Sequence, residues 1–579
     1  MEYPTLNVKQ KSRQMSDAFL GYNHNLRIGD SEFYDMKNMT SDYYPVLAPR
    51  GKRGVYIERS YLNGIIAKND KLCYVQDQKF CVGEDRVDLG LDERPKQLIS
   101  MGAYVIIMPD KMYVNTNDLS DHGNIEATFV SEEDVKYELC NITGDLYTGA
   151  KADTTAPKYP TNGMKWIDTS STPHTLKKYS EANEMWVAIP TTYIKISSKG
   201  IGKKFKQYDG VTIYGVKGEV QGLNGSLALW ACEDDFIVVI GILDQVTTQT
   251  VADGKITIVR KMPNMDFIIE SENRLWGCRY GEDINGNFVN EIYACKLGDF
   301  RNWNCFMNLA TDSYVASCGT DGHFTGAIAY FGYPLFFKET CFHKVYGNYP
   351  SNFQIQTTAC RGVQTGSDRS LAIVNETLFY KSRGAVCAYD GSLPVEVSSA
   401  LGNEQYGNAV AGSHNNKYYI SMSDATGKYH LFVYDTAKGM WHKEDNLKAE
   451  GFCSVLGELY AIEGDNIITM FGSGEKDSNK VPWMVETGLI GMSMPDMKYI
   501  SKLLIRMSLE VGSSVDISIQ YDSMGDWEQV CQMTSTSLRS FSVPIRPRRC
   551  DHFRIRIEGE GEGRIYSITK TIEQGSDVS

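Results

Sequence analysis

Three short runs of carboxylates could do acid–base work: Glu132-Glu133-Asp134, Asp234-Asp235 and Glu444-Asp445. A glycosidase needs two carboxyl groups flanking one sugar bond, one to donate a proton and one to attack or activate water. Nothing in the spacing sets these runs opposite one another. Most Asp and Glu side chains are solvated, so the runs read as exposed loops. Aromatic rings offer a second chemistry. Trp166 and Trp186 flank one hairpin, and Trp527 stands alone in a polar stretch. Any of them could stack on a sugar ring, although a Trp pair within one hairpin more often forms its own small core.

Spacings that build a catalytic centre are missing. ATGKYH lacks the first glycine and the Ser/Thr of a phosphate loop, and GEGEG is not GxGxxG. There is no HExxH, no GxSxG elbow, and DSMGDW does not have the spacing of a sialidase turn. The chain is therefore expected not to be an enzyme. Its 14 Cys are spread singly from Cys73 to Cys550, without a CxxC, and there are 9 His. The pairs Cys73/Cys81 and Cys295/Cys305 do not fit zinc, so neither a metal nor a cofactor is expected. Cys in apolar runs such as LWGCRY read as buried thiols made in a reducing compartment.

The net charge of −13 argues against a sequence-reading nucleic-acid binder. It does not exclude a surface that DNA slides past, although most of these charges read as simple solubility. MEYPTLNVKQKSR is polar from the start, so no signal peptide is expected. The most apolar stretch, SLALWACEDDFIVVIGIL, is split by Glu233, Asp234 and Asp235, so no membrane span is expected.

With 579 residues the chain should hold two to four domains. Its 35 Tyr and 52 Gly suit many short strands joined by tight turns. The spacing predicts an all-β chain: a β-propeller, an inserted small β-barrel and hairpin region, and a C-terminal β-sandwich. Residues 1–20 are polar and read as an N-terminal arm. Residues 21–130 read as the first part of the propeller, with strand pairs around Asn-Asp, Asp-Gln and Pro-Asp turns. Residues 131–265 interrupt that rhythm with a Trp hairpin and Gly-punctuated strands that must close to hide their edges. TLKKYSEANEMW within them is a short helix candidate. Residues 266–480 resume the rhythm. Tyr434-Asp435 followed by Trp441 looks kelch-like: the Asp bonds turn backbone and the Trp packs between blades. Recurrence near 40–50 residues points to a propeller. In residues 481–579, Arg554 and Arg556 alternate with Ile555 and Ile557, as in a sandwich strand with one buried face.

Two segments carry a family resemblance. Residues 19–54, FLGYNHNLRIGDSEFYDMKNMTSDYYPVLAPRGKRG, match through Gly21, Asn23, Glu32, Asn38, Met39, Arg50 and Gly54. The block from Arg274-Leu275-Trp276 through Ile292-Tyr293 to Leu297-Gly298-Asp299 and Trp303 is the second. Both resemble the tail nozzle, hub or stabilisation proteins of short-tailed phages. The resemblance implies a virion structural protein, made in the host bacterial cytoplasm and placed in the phage tail. It implies a homo-oligomeric ring of about six copies around a DNA channel, with heterologous contacts that close. Partners would be other tail proteins (adaptor, tail fibre or plug) and double-stranded DNA passing without sequence recognition. The arm would order only on a neighbouring subunit. A carbohydrate-binding receptor protein, or a propeller-fold glycan hydrolase, stays open beside this reading.

Overall fold

The computed structural model describes residues 10–58, 61–283, 285–472, 475–476 and 480–575. Residues 1–9 of the expected arm thus lie outside the described residues. Among the described residues, strands hold 53% and helix 4%. The fold is all-β and of propeller type. Short β-branched and aromatic runs alternate with turn residues that tolerate left-handed backbone, and each run pairs with the next. Asn69-Asp70, Glu272-Asn273 and Asn375-Glu376 all have positive φ at first hairpin turns. Such paired positive φ values give the primed turns whose twist matches antiparallel strands.

Two compact units divide the chain: Met1–Pro95 with Phe337–Phe342 and Thr358–Ser579, and Lys96–Phe336 with His343–Thr357. In the first unit, four-stranded meanders begin at Leu62–Lys68, Ala372–Val374 and Gly407–His414. A further sheet runs Gly451–Val455, Glu458–Glu463 and Asn466–Thr469, and is completed by Gly54–Ile57 from the other end of the chain. The first strand of each sheet packs on the first strand of the next, from Ala372–Val374 through Gly407–His414 and Gly451–Val455 to Leu62–Lys68. This is how blades stack.

The same unit holds the C-terminal strands. Lys498–Tyr521 pairs with Gly563–Gln574 along its first half and with Phe553–Glu560 along its second. The register shifts between Leu509 and Ser514, so one long strand serves two layers. Leu503, Ile505, Met507, Val515, Ile517 and Ile519 point into a common core with Ile555, Ile557, Ile565 and Ile568. Arg554 and Arg556 point away from that core, and both pair with Glu486, at 3.0 and 2.8 Å. Lys11–Ser16 pairs with Gly563–Gln574 in register from Lys11↔Glu573 to Ser16↔Ile568. This corrects the expectation of an arm that orders only on a neighbour. Polar composition hid a strand whose partner lies at the far end of the chain.

The second unit contains the meanders Gln97–Met101 to Asp118–Asn124 and Phe267–Ser271 to Tyr314–Ser317, whose first strands also pack together. A further four-stranded sheet runs from Gly326–Tyr330 to Gln354–Ala359, with Phe337–Phe342 and Thr358–Ala359 counted in the first unit. Between the first two meanders lie a four-stranded and a five-stranded sheet with a shared core of Val135, Tyr137, Ile194, Ile196, Val211 and Ile258. A separate hairpin sheet carries Lys165–Asp168, Thr175–Ser180 and Met185–Ala188. TLKKYSEANEMW is therefore two strands around a one-turn 3-10 element, Glu181–Asn183, not a helix. Leu176 is its one buried apolar residue, too little for a helical stripe. Among the described residues no helix is long and apolar enough to cross a membrane.

Candidate functional site

Of the residues singled out in 19–54, Gly21 and its neighbours lie at the outer edge of the Gly407–Lys443 sheet. Tyr22 donates its backbone N–H to the Trp441 carbonyl at 2.6 Å. Gly21 lies so close to the same carbonyl that a Cβ would stand 2.3 Å from its oxygen, and its φ is +84°. Only glycine fits both conditions. Phe33 N–H donates to Gly21 O, and Asn23 N–H to Phe33 O, so this short turn is laced by backbone. Glu32 closes it by accepting from Asn23 Nδ2 at 2.8 Å and from Gly29 N–H at 2.6 Å.

Asn38 is the next anchor. It is buried in a left-handed conformation (φ +56°), which Asn tolerates better than bulkier residues. Its Nδ2 donates to Pro482 O at 2.7 Å, its Oδ1 accepts from Arg50 Nε at 2.9 Å, and its N–H donates to Glu444 O. One residue thus ties the N-terminal segment to a blade through its backbone and to the C-terminal strands through its side chain. Met39 is buried in the core beside it. Gly54 begins the strand that completes the Gly451–Thr469 sheet.

Arg50 and Arg53 lead into that strand and meet Glu444 and Asp445. Arg53 reaches Glu444 at 2.8 Å and Asp445 at 2.7 Å; Arg50 reaches Asp445 at 3.2 Å and Glu444 at 3.4 Å. Both carboxylates were expected on solvated loops, but the Glu444 side chain is buried and that of Asp445 largely so. Burial pushes the Asp445 carboxyl up, and Arg53 and Arg50 outweigh it, leaving it below the usual range. Two carboxylates held by two guanidiniums make a fastening. Beside them a cavity of about 370 Å³ is lined by Arg53, Asp445, Glu463 and Lys480. The other runs stay in solvent: Glu132, Glu133, Asp134, Asp234 and Asp235 are all exposed.

Tyr434, Asp435 and Trp441 sit in the same sheet. Trp441 is buried, its Nε1 donates to Val397 O in the preceding sheet, and its ring lies 4.9 Å from that of Tyr434. Asp435 accepts from Ser41 Oγ at 2.6 Å and from the N–H groups of Ala437 and Lys438. Sequence reasoning missed Ser41 as the partner of Asp435, 394 residues away, and Arg53 as the partner of Glu444, 391 residues away, because nothing local marks so distant a contact.

The second block lies in the other unit. Gly298 N–H donates to Asn273 O, Leu297 N–H to Thr311 O, and Asp299 accepts from Arg301 N–H. Arg274 is buried and gives its guanidinium to the carbonyls of Cys295, Ala310 and Asp312. Leu275 and Trp303 share a core with Ile99 and Phe300, while Trp276 and Ile292 belong to the next one. Tyr293 lies against the first of these and donates to Glu291 at 2.6 Å. Asn302, which the sequence did not flag, is fully buried and joins this block to Tyr208 O and Gly210 N–H.

The candidate sugar platforms are differently placed. Trp166 is buried and packs edge-on against Trp186 at 5.4 Å, with Tyr179 also edge-on to Trp186. Lys177 covers Trp166 and bonds Asp168. Trp527 is half-buried beneath the Arg556 guanidinium, 4.0 Å from its ring. Trp186, like Trp527, is half-buried. All 14 Cys are free thiols, and most are buried; burial pushes Cys73 up to about 11. Among the described residues no group of three or more His, Cys, Asp or Glu could hold a metal ion.

No family model matches the chain, and no curated protein does. Solved structures do. An exo-β-1,3-galactanase from Phanerochaete chrysosporium with galactose is 9% identical over 52% of this chain and 94% of that one, with a TM-score of 0.22. A Trypanosoma rangeli sialidase in complex with sialic acid is 9% identical over 91% of this chain and 96% of that one, with a TM-score of 0.22. An engineered GH43 glycoside hydrolase is 9% identical over 54% of this chain and 99% of that one, with a TM-score of 0.18. All three are enzymes, and the expectation that this chain is not one falls with that finding. It rested on missing short motifs, and a carboxylate pair gathered from separate strands leaves no short motif.

Proposed function

We propose that the chain is a phage tail nozzle or hub subunit, one of about six in a ring around the DNA channel. The observation that carries this reading is the path of residues 21–57. The segment bearing Gly21, Asn38 and Arg50 lies on the edge of one blade, and its last strand, Gly54–Ile57, completes another. This is the role the phage-family resemblance assigns to that segment: an extended run that feeds the propeller. A sheet closed by strands from both chain ends resists opening, because separation must break the ladder and the ion cluster together. That suits a wall that holds a pressurised genome and then passes it. An acidic chain, at −13, repels phosphates and lets DNA slide. Adaptor, fibre or plug proteins of the tail would bind above and below the ring.

Imaging of the virus particle, with the chain located by a labelled antibody, tests the proposal. Several copies in a ring at the end of the tail are expected. A single central copy, a fibre at the side, or absence from particles overturns it.

A further inference from the structure

Phe331 stands where a tight turn ordinarily takes Asn, Asp or Gly. It is the first residue of the turn between Gly326–Tyr330 and Tyr333–Lys338, with φ +49°, followed by Gly332 at φ +76°. A bulky ring in left-handed backbone is an outlier that costs stability. Its ring is not stored in a core, since Phe331 is 63% exposed. Strained residues kept in this way cluster where ligands bind.

The ring borders a cavity of about 550 Å³, within the range of small-molecule sites. Trp276 and Phe353 line it as an edge-to-face pair, 5.0 Å apart. Glu272, Asn273 and Asn348 line it with exposed polar side chains. The structure is built to hold these groups. Ser271 Oγ donates to Gly332 O at 2.7 Å, so the two facing turns are pinned together. The Glu272 carboxylate lies against Gly332, and the φ of +76° favours glycine there. The floor is fixed by Arg274, which donates to three backbone carbonyls. A preformed site of this kind loses little affinity to ordering.

Charge narrows the ligand. Among the lining residues only Glu272 and Arg274 are charged, and the Arg274 guanidinium is taken up by carbonyls. The remaining carboxylate disfavours phosphate and carboxylate ligands. A carboxylate accepts from vicinal hydroxyls, side-chain amides serve others as donor or acceptor, and an exposed aromatic face packs on C–H groups of a pyranose. We propose that this cavity is a binding site for a neutral saccharide, with Phe331 as its stacking ring and Glu272, Asn273 and Asn348 as its hydroxyl partners. The site lies apart from Trp166, Trp186 and Trp527, and it does not depend on the ring assembly.

The full chain should be screened by saturation-transfer NMR against glucose, galactose, N-acetylglucosamine and rhamnose, and against disaccharides of each. Dissociation constants would then be measured on the hits. Phe331→Asn puts the favoured residue into the turn, so it should leave the melting temperature unchanged or raised while weakening binding about tenfold or more. Glu272→Gln should weaken binding without unfolding the chain. Leu456→Asn is the control. Leu456 has the same left-handed geometry before Gly457 and is 80% exposed in a different sheet. Its replacement should shift stability in the same direction and leave saccharide binding unchanged. No saturation transfer from any of these sugars at millimolar concentration overturns the proposal. So does undiminished binding by Phe331→Asn, or tighter binding of glucuronate or sialic acid than of every neutral sugar.

Discussion

The backbone of Gly21 lies against the carbonyl of Trp441, close enough that a methyl group would overlap its oxygen. This approach lets Tyr22 N–H complete the sheet edge. Gly21→Ala should therefore destabilise the chain by at least about 2 kcal/mol, from left-handed strain and steric displacement together. Urea denaturation checks this, and an unchanged midpoint would remove Gly21 from the fastening.

His442 should make stability pH-dependent. Burial, aided by Lys417, holds its imidazole down to about 3, so it is neutral in the folded chain. The unfolded chain takes up that proton as pH falls below 6.5. Its contribution is complete above that value and declines toward pH 3, by about 1.4 kcal/mol per pH unit. His442→Gln should flatten that part of the stability profile between pH 6 and 4, measured by denaturation at a series of pH values.

Breaking the ion cluster on one side should cost more than removing it whole. Arg53→Met leaves two buried carboxylates with Arg50 alone, a loss of about 3–5 kcal/mol. Adding Glu444→Leu to that variant should recover part of the loss. Additive effects in this double-mutant cycle would mean that the pair is not coupled.

Trp441→Ala and Trp303→Ala should each cost about 3–5 kcal/mol, since both rings are buried and both indole N–H groups are bonded. Thermal unfolding reads the loss. A variant that kept its melting temperature would show that the ring is not a packing element.

Removal of residues 127–260 behind a short Gly-Ser bridge should leave a cooperative unfolding transition. That segment has its own core, and its two ends lie on adjacent strands, Ala127 opposite Arg260. The cost should be that of Asn302, left buried without Tyr208 and Gly210, at about 1–3 kcal/mol. Loss of all cooperativity would show that the propeller needs the insertion to fold.

Local patterns were legible without coordinates. Ile555 and Ile557 alternate with Arg554 and Arg556 because a strand turns successive side chains to opposite faces. Turns such as Asn69-Asp70 announce themselves because few residues tolerate left-handed backbone. The all-β fold follows from many such short runs. Tertiary structure alone decided what each run meets. Lys11–Ser16 reads as a polar arm until the last strand lies beside it. Glu444 and Asp445 read as loop charges until Arg50 and Arg53 arrive from the other end of the chain. Thr175–Trp186 has helix-forming residues, yet its partners made it a hairpin. The cavity beside Phe331 exists because turns far apart in sequence face each other. Hydrogen bonding within a strand or turn depends on neighbours a few residues away, which a sequence displays. Ion pairing and cavity shape depend on which distant segments the closed fold brings together, and no short window of sequence contains that information.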